Sequence, residues 1–388
     1  MMKKILIVNN NMNIGGVQKA LYNLLWEAEG KYDITLCLFS RRGEYADKLP
    51  PSVRIVEVSG AYRFLGVSQG ECRGVDSILR GACVLATRLL GRSRVLKLFG
   101  RRMPFLEEKY DCAISYLHNG REKSFYGGAQ DFVLDRVKAD RKVAFLHCDY
   151  RNCGAWHERN NLDMARFDRI AACSDGCREA FLSVLPELAE KCVTVRNCHR
   201  FEEIREMAEK NPIIYGISAV NILIVARLSH EKGVDRALRA LKYALDNGCD
   251  ARLHIVGDGA EREALRALSV EYGLCDRAVF YGNQGNPYRY MKNADMLLIP
   301  SYHEAAPMVI DEARALGLPV LTVKTTSAED MVSRRGCGWV CENTDDDLCR
   351  ALASLLSSPA EISSARERLL NAEIDNSEAL MQFEGLIN

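Results

Sequence analysis

The sequence has 388 residues, 48% of them hydrophobic, which at roughly 150 residues per domain argues for two domains with sizeable cores. Its 52 lysines and arginines balance 52 aspartates and glutamates, which excludes a wholly basic nucleic-acid coat protein and an acidic disordered tail. With 28 glycines, 10 prolines and 27% charged residues, it leaves little room for collagen-like or disordered architecture.

The apolar run that begins at Ile5 stops at Asn9, short of the roughly 7–15 residues of a signal-peptide core, so the chain is expected to stay in the cytoplasm. No stretch approaches the roughly 20 unbroken apolar residues of a membrane span; residues 81–90 are interrupted by Arg88. The fifteen cysteines are odd in number and include no CxxC pair, as expected of reduced thiols. Cys148, Cys153 and His157 cluster loosely enough to raise a metal site, and Cys173/Cys177 and Cys337/Cys341 are four apart. None matches a zinc signature, and buried structural thiols are the simpler reading.

Short β-rich runs at 5–8, 34–39, 53–56, 112–115, 143–146, 170–172 and 193–195 predict buried strands, with helical patterns such as 18–28 and 177–185 between them. The rhythm restarts after Asn211-Pro212, with strands at 222–225, 253–256, 279–281, 296–299 and 320–323 and helices at 235–246, 261–272 and 309–316. Such alternation predicts α/β architecture: two doubly wound, Rossmann-like domains, 1–208 and 209–371, joined near 209–218, with a C-terminal helix at about 372–388 that packs back on the first. In open α/β sheets ligands sit beyond the carboxyl ends of the strands, so two such domains facing one another would enclose a substrate in a cleft.

Segment 61–106 departs from the rhythm. It carries Arg63, Arg73, Arg80, Arg88, Arg92, Arg94, Lys97, Arg101 and Arg102 against Glu71 and Asp76, nine minus two, or plus seven. Leucines, with Ile78, Val95 and Phe99, interleave with these charges, which suits either an anionic bilayer surface or an ordinary solvated helix face with its core side inward.

Candidate chemistry follows the strand ends. Gly15-Gly16 lies between strand 5–8 and a helix, where bare backbone and a helix N-terminus suit a phosphate; taken alone, the motif is better explained as a tight turn needing positive φ. Arg227 and Lys232 leave a second-domain strand together and could bracket a diphosphate, or form a solvated surface loop. Gly257-Asp258-Gly259 opens like a dinucleotide fingerprint, but Arg262 replaces its third glycine, which argues against a nicotinamide cofactor. Pro300 ends a strand, and Glu304 and Glu312 follow. If the residues between them were fully helical, the two acids would stand about 12 Å apart along the axis. That exceeds the roughly 5–5.5 Å of a double-displacement glycosidase and suits two grips on one elongated ligand. His147 and His118 each stand just past a first-domain strand, a position open to function or to an ordinary structural histidine.

Together the Gly15-Gly16 turn, His147, Arg227 with Lys232-Gly233, Glu304-x7-Glu312 and Gly317-Leu318-Pro319 resemble glycosyltransferase family 4, the retaining, nucleotide-sugar-dependent enzymes of the GT-B fold. The resemblance implies that Arg227 and Lys232 neutralise a departing diphosphate, that Glu304 addresses the transferred sugar with His147 beside it, and that Glu312 holds ribose hydroxyls. It further implies that Gly15 and Gly16 meet the donor's phosphates, that main chain near Gly257, Asp258, Gly282 and Asn283 receives the base, and that Ala305, Ala306, Pro307, Met308 and Val309 lie along the donor. Where the family commonly has Glu-Gly-Phe-Pro this chain has Glu304-Ala305-Ala306-Pro307, a change at the donor sugar.

The implied function is transfer of a sugar, UDP-linked by family frequency, to a glycan or lipid-linked acceptor in surface polysaccharide synthesis. No cofactor or metal beyond the nucleotide sugar is expected, and no nucleic-acid partner. A non-hydrolysing nucleotide-sugar epimerase, or a catalytically silent nucleotide-sugar binding protein, would share the architecture.

Overall fold

The computed structural model describes residues 2–58, 60–100, 106–154, 156–216 and 219–388. Arg101 and Arg102 of the basic segment, and positions 217–218 of the expected joint, lie outside the described residues. The chain forms two compact units, Met1–Cys198 with Asn376–Asn388, and His199–Asp375.

In the first unit, seven parallel strands run β1 (Lys4–Asn9), β2 (Asp33–Leu38), β3 (Arg54–Glu57), β4 (Leu106–Ser115), β5 (Val137–Leu146), β6 (Arg169–Ala172) and β7 (Cys192–Thr194). They lie in the order β3-β2-β1-β4-β5-β6-β7. The chain steps outward from β1 to β3, then returns to place β4 against β1, with Ile5 beside Cys112 and Val8 beside Ser115. The central strands are buried because helices cover both faces, which is why they read as unbroken apolar runs. The C-terminal helix Ser377–Ile387 completes this core, burying Phe383, Leu386 and Ile387 with Ile5, Leu21 and Val143.

The second unit repeats the plan with β8 (Val220–Val225), β9 (Ala251–Val256), β10 (Ala278–Gly282), β11 (Met296–Ile299), β12 (Val320–Val323) and β13 (Gly338–Cys341), in the order β10-β9-β8-β11-β12-β13. Its reversal lies between β8 and β11, where Leu223 pairs with Leu297. The unit begins ten residues earlier than the expected domain boundary at 208. The reason is packing: helix Phe201–Glu209 buries Phe201, Ile204 and Ala208 against Tyr288, Met291 and Ile310, so the expected joint falls inside the second unit.

One strand escapes the sequence pattern. Edge strand β13 is only half-buried throughout and opens with Gly338, where a Cβ would stand 1.8 Å from the Val320 carbonyl oxygen. Glycine at its head and half-burial at the sheet edge separate this short strand from the buried apolar runs of the others.

Candidate functional site

In a doubly wound sheet, the crevice for a ligand opens beyond the carboxyl ends of the strands where the order reverses. In the second unit those ends are Val225 of β8 and Ile299 of β11, and the loops that leave them carry Arg227, Lys232 and Glu304.

Main-chain bonds hold the loop after β8 against the turn after β9. The Leu228 amide donates to the Asp258 carbonyl at 3.0 Å and the Glu261 amide to the Leu228 carbonyl at 3.0 Å, while the Gly257 amide ties the turn to the end of β10 through the Gly282 carbonyl at 2.8 Å. This close approach is what the glycines permit. Gly257 has φ 139°, and a Cβ there would come within 1.8 Å of the Ala226 carbonyl oxygen; one on Gly259 would come within 2.2 Å of that of Leu228. Arg262, the residue that breaks the dinucleotide fingerprint, bonds Asp258 at 2.8 Å. Asp258 also accepts from the Gly259 amide, while Asn283, just beyond β10, is exposed.

Lys232 and Glu304 meet directly. Lys232 Nζ lies 2.7 Å from Glu304 Oε1, which also accepts from the Ser301 hydroxyl at 2.8 Å. Gly233, at φ 62°, lets the two loops touch, since a Cβ there would be 2.3 Å from the Pro300 carbonyl oxygen. The Tyr302 amide donates to the Glu231 carbonyl at 2.9 Å, and its ring stacks on His230 with centroids 5.0 Å apart. Arg227 is exposed, as is Glu231. The Ser229 hydroxyl, helped by the Lys232 and Arg227 charges, holds the Glu231 carboxyl below its usual range.

Beneath these loops lies a residue the sequence reading passed over. Arg236 is 1% exposed, donates to the Pro300 carbonyl at 3.1 Å, Asn343 at 2.7 Å and Asp345 at 2.8 Å, and lies 4.7 Å from the Tyr302 ring centroid. A charge on the apolar face of helix Val234–Asp246, between Val234 and Ala237, was the available signal.

The segment from Glu304 to Glu312 is helical only from Met308, with Pro307 at the N-cap, so a continuous helix does not set the spacing of the two acids. Ala305, Ala306, Pro307 and Val309 are half-buried, while Met308 and Glu312 are buried one helical turn apart. Ser327, after β12, donates its hydroxyl to the Ala305 carbonyl and ties the two loops together. Neighbouring Asp311 is buried, which alone would raise its pKa. His199 at 3.5 Å, Arg335 at 3.0 Å and Arg314 at 2.7 Å reverse that and hold it well below the carboxylate range.

The first unit's edge has a different character. Asn10 and Asn11, after β1, donate to the Leu65 and Gly66 carbonyls at 3.1 and 2.8 Å. Helix Gly16–Glu27 starts without a side-chain cap. The expectation of a turn requiring positive φ at Gly15-Gly16 is corrected: Gly15 is extended at φ 176°, Gly16 is not in the left-handed region, and a Cβ on Gly16 would meet nothing within 4 Å. His147 follows β5, stacked 5.2 Å from Phe145 and 4.7 Å from Tyr116 between ring centroids. Burial, reinforced by His118, pushes its pKa down to about 3, and burial pushes that of His118 to about 4, so both rings are neutral near pH 7. His157 does not join Cys148 and Cys153: it accepts from the Arg159 amide at 3.2 Å as the cap of helix Glu158–Ala165.

The chain is similar to glycosyltransferases in sequence and in fold. Residues 218–373, nearly all of the second unit, match the family model described as glycosyl transferases group 1. The 2-deoxystreptamine glucosyltransferase of Streptomyces kanamyceticus is 34% identical over 140 residues, 36% of this chain and 32% of that protein. An uncharacterized glycosyltransferase of Haemophilus influenzae matches over 48% of its length, so the chain spans about a third to a half of the curated relatives it matches. Over the whole fold, the lipopolysaccharide outer core galactosyltransferase WaaB is similar with a TM-score of 0.63 and 20% identity, covering 100% of this chain and 99% of that one. Anabaena Alr3699/HepE in complex with UDP gives 0.66 and 18%, covering 99% of each. The architecture is that of the GT-B glycosyltransferases: two α/β units, each on a parallel sheet.

Proposed function

We propose that the protein is a retaining glycosyltransferase of family 4 that moves a sugar from a UDP-sugar to a glycan or lipid-linked acceptor. The observation that carries this reading is the meeting of the Arg227–Lys232 loop, the Gly257–Gly259 turn and the Glu304 loop at the reversal of the six-stranded sheet. Breaking a glycosyl–phosphate bond builds negative charge on the leaving diphosphate. Fixed cations at that point lower the barrier more than they stabilise the bound donor. Arg227 offers a planar fork to two oxygens and Lys232 a compact charge. Glu304, neutralised by Lys232 and hydrogen-bonded by Ser301, is a poor nucleophile and a good acceptor for sugar hydroxyls, which supports same-face attack without a covalent sugar–enzyme intermediate. Glu312 holds the ribose, and the edge bearing Gly15, Gly16 and His147 serves the sugar, its phosphates and the acceptor. With cations supplied by the chain, turnover needs no added Mg²⁺.

UDP in the Anabaena structure supports the choice of base, and the polysaccharide and lipopolysaccharide names among the relatives support the acceptor class. The test is a panel of nucleotide sugars scored by thermal shift, in which a true donor at a hundred times its Kd adds about 2.7 kcal/mol. UDP release must then depend on acceptor; a sugar altered by incubation with donor alone would overturn the transfer reading in favour of an epimerase.

A bilayer surface is proposed as the place of work. Helix Val75–Leu90 exposes Val75, Ile78, Leu79, Leu85, Leu89 and Leu90, which at 100° per residue share an arc of about 140°. Cys83 and Thr87, on the flank just beyond Leu90, are the buried residues of this helix. The charge count of this segment is corrected by the structure. Arg92 is buried against Glu122 at 3.2 Å and Asp131 at 3.4 Å, and Arg63 pairs with Asp76 at 2.5 Å. Arg73, Arg88, Arg94 and Lys97 remain exposed, each worth about 1 kcal/mol near an anionic leaflet. No described helix is long and apolar enough to cross a membrane. The double variant Leu85→Glu/Leu89→Glu should lose flotation with anionic liposomes while keeping its melting temperature.

A further inference from the structure

We propose that His118, Cys148 and Cys153 form a binding site for a thiophilic cation, Zn²⁺ foremost, at the carboxyl edge of the seven-stranded sheet. It is independent of the proposed sugar transfer and departs from the sequence expectation that the chain holds no metal. β4 and β5 are parallel neighbours, with Ser115 paired to Ala144, so His118 and Cys148 leave the sheet side by side. Cys153 is brought back by the turn that follows, in which its amide donates to the Asp149 carbonyl at 2.9 Å. The result is that one donor atom from each of the three residues lies within 4.8 Å of the others, with the two sulfurs 3.3 Å apart. A tetrahedral zinc centre, with Zn–S near 2.3 Å and Zn–N near 2.0–2.1 Å, has edges of about 3.5–3.8 Å, within small side-chain movements of this arrangement.

Two features say that the cluster is more than three core residues in contact. His118 Nδ1 is buried with no hydrogen-bond partner among the described residues, an expensive state for an imidazole with no other duty. The frame around it is also fixed. Asn119, the next residue, donates its backbone amide to Gln130 at 3.2 Å and its side-chain amide to Asp131 at 2.9 Å, and its side-chain oxygen accepts from the Gly128 amide at 2.7 Å. On the other strand, Asp149 is held by Arg151 and Asn152 at 3.0 Å. One imidazole and two thiolates suit Zn²⁺ or Cu⁺ and are poor ligands for Mg²⁺ or Ca²⁺. Three protein donors leave a fourth position open to water.

The test uses the full chain, purified with reductant, stripped with a strong chelator and titrated with Zn²⁺ against a chromophoric competitor, with Co²⁺ in parallel. One equivalent should bind, and Co²⁺ should show the near-ultraviolet thiolate charge-transfer band and the visible bands of a four-coordinate centre. Cys148→Ser, Cys153→Ser and His118→Ala should each weaken Zn²⁺ at least about tenfold, the cysteine variants also losing charge-transfer intensity. Cys275→Ser, at an exposed thiol, should change nothing. If burial makes Cys148→Ser fail to fold, Cys153→Ser, half-buried in the loop, decides the matter. Undiminished binding by the variants, no stoichiometric binding, or a Cys148–Cys153 disulfide that persists in reductant and blocks Zn²⁺ would each overturn the site.

Discussion

Beyond the carboxyl ends of the six-stranded sheet stand Arg227, Lys232 and Glu304, with Arg236 buried beneath; beyond those of the seven-stranded sheet stand bare Gly16, two neutral histidines and a pair of thiols. Both sheets are parallel and reverse beside their first strand. The difference teaches that topology fixes where a ligand can sit while the residues on the edge decide what it is. One edge is equipped to meet formal charge. The other offers open backbone, uncharged rings and soft sulfur.

The sharpest way to break this contrast is to discharge the charged edge. Arg227→Ala and Lys232→Ala should each keep the fold and lose about a hundredfold or more in turnover, on the order of 3 kcal/mol of transition-state stabilisation. Lys232→Ala also strips Glu304 of its partner, so its loss should exceed what Lys232→Arg shows. Near-wild-type turnover in both alanine variants would remove the assignment.

Next in size is the support under that edge. Arg236→Ala leaves Asp345 and the Pro300 carbonyl without their buried donor and should lower the unfolding free energy of the second unit by about 3 kcal/mol. Asp345 also pairs with Arg239, which softens the loss on that side. Chemical denaturation followed by the fluorescence of Trp339, the tryptophan on β13, in a background with Trp26→Phe and Trp156→Phe, reads this unit. An unchanged midpoint would show that the guanidinium is dispensable.

A smaller effect comes from His254, in the second unit but outside its charged edge. Its ring meets the Tyr281 hydroxyl at 3.0 Å and Asn221 at 3.2 Å, and Tyr215 packs on it with centroids 4.3 Å apart. Burial, helped by Arg252 and opposed by Asp295, lowers its pKa to about 4. The unfolded chain therefore takes up this proton first as the pH falls. Stability owed to the neutral ring is complete above about 6.5, declines by at most about 1.4 kcal/mol per pH unit down to about 4, and is flat below. Solvent screening reduces the slope. His254→Gln should flatten the difference between melting curves at pH 7 and pH 5, and an unchanged difference would refute the burial argument.

How much of this was legible in the sequence follows from the kind of signal each part carries. Buried parallel strands such as β8 and β11 advertise themselves as apolar runs, so their ends, and with them Arg227 and Glu304, could be placed on one edge. The Lys232–Glu304 pair joins residues 72 positions apart and has no local signature. Helix Phe201–Glu209 has an ordinary amphipathic pattern, which says that it packs but not against which sheet. The soft cluster of the first unit was half seen. Cys148 and Cys153 are close in sequence, but the third member comes from the neighbouring strand, and nearby His157 is spent as a helix cap.

The smallest expected effect tests the uncharged edge. Gly16 opens helix Gly16–Glu27 with a φ outside the left-handed region and empty space where a Cβ would stand, so neither backbone nor packing requires glycine there. Alanine is the better helix former by up to about 1 kcal/mol in a helix interior, and less at its first residue. Gly16→Ala should therefore leave the melting temperature unchanged or raise it slightly. If the bare backbone serves a phosphate, the same methyl group occupies the approach to the first helical amides, and KM for the nucleotide sugar should rise severalfold while the fold is unharmed. A variant that is as stable and as active as the parent would show that the glycine serves no ligand.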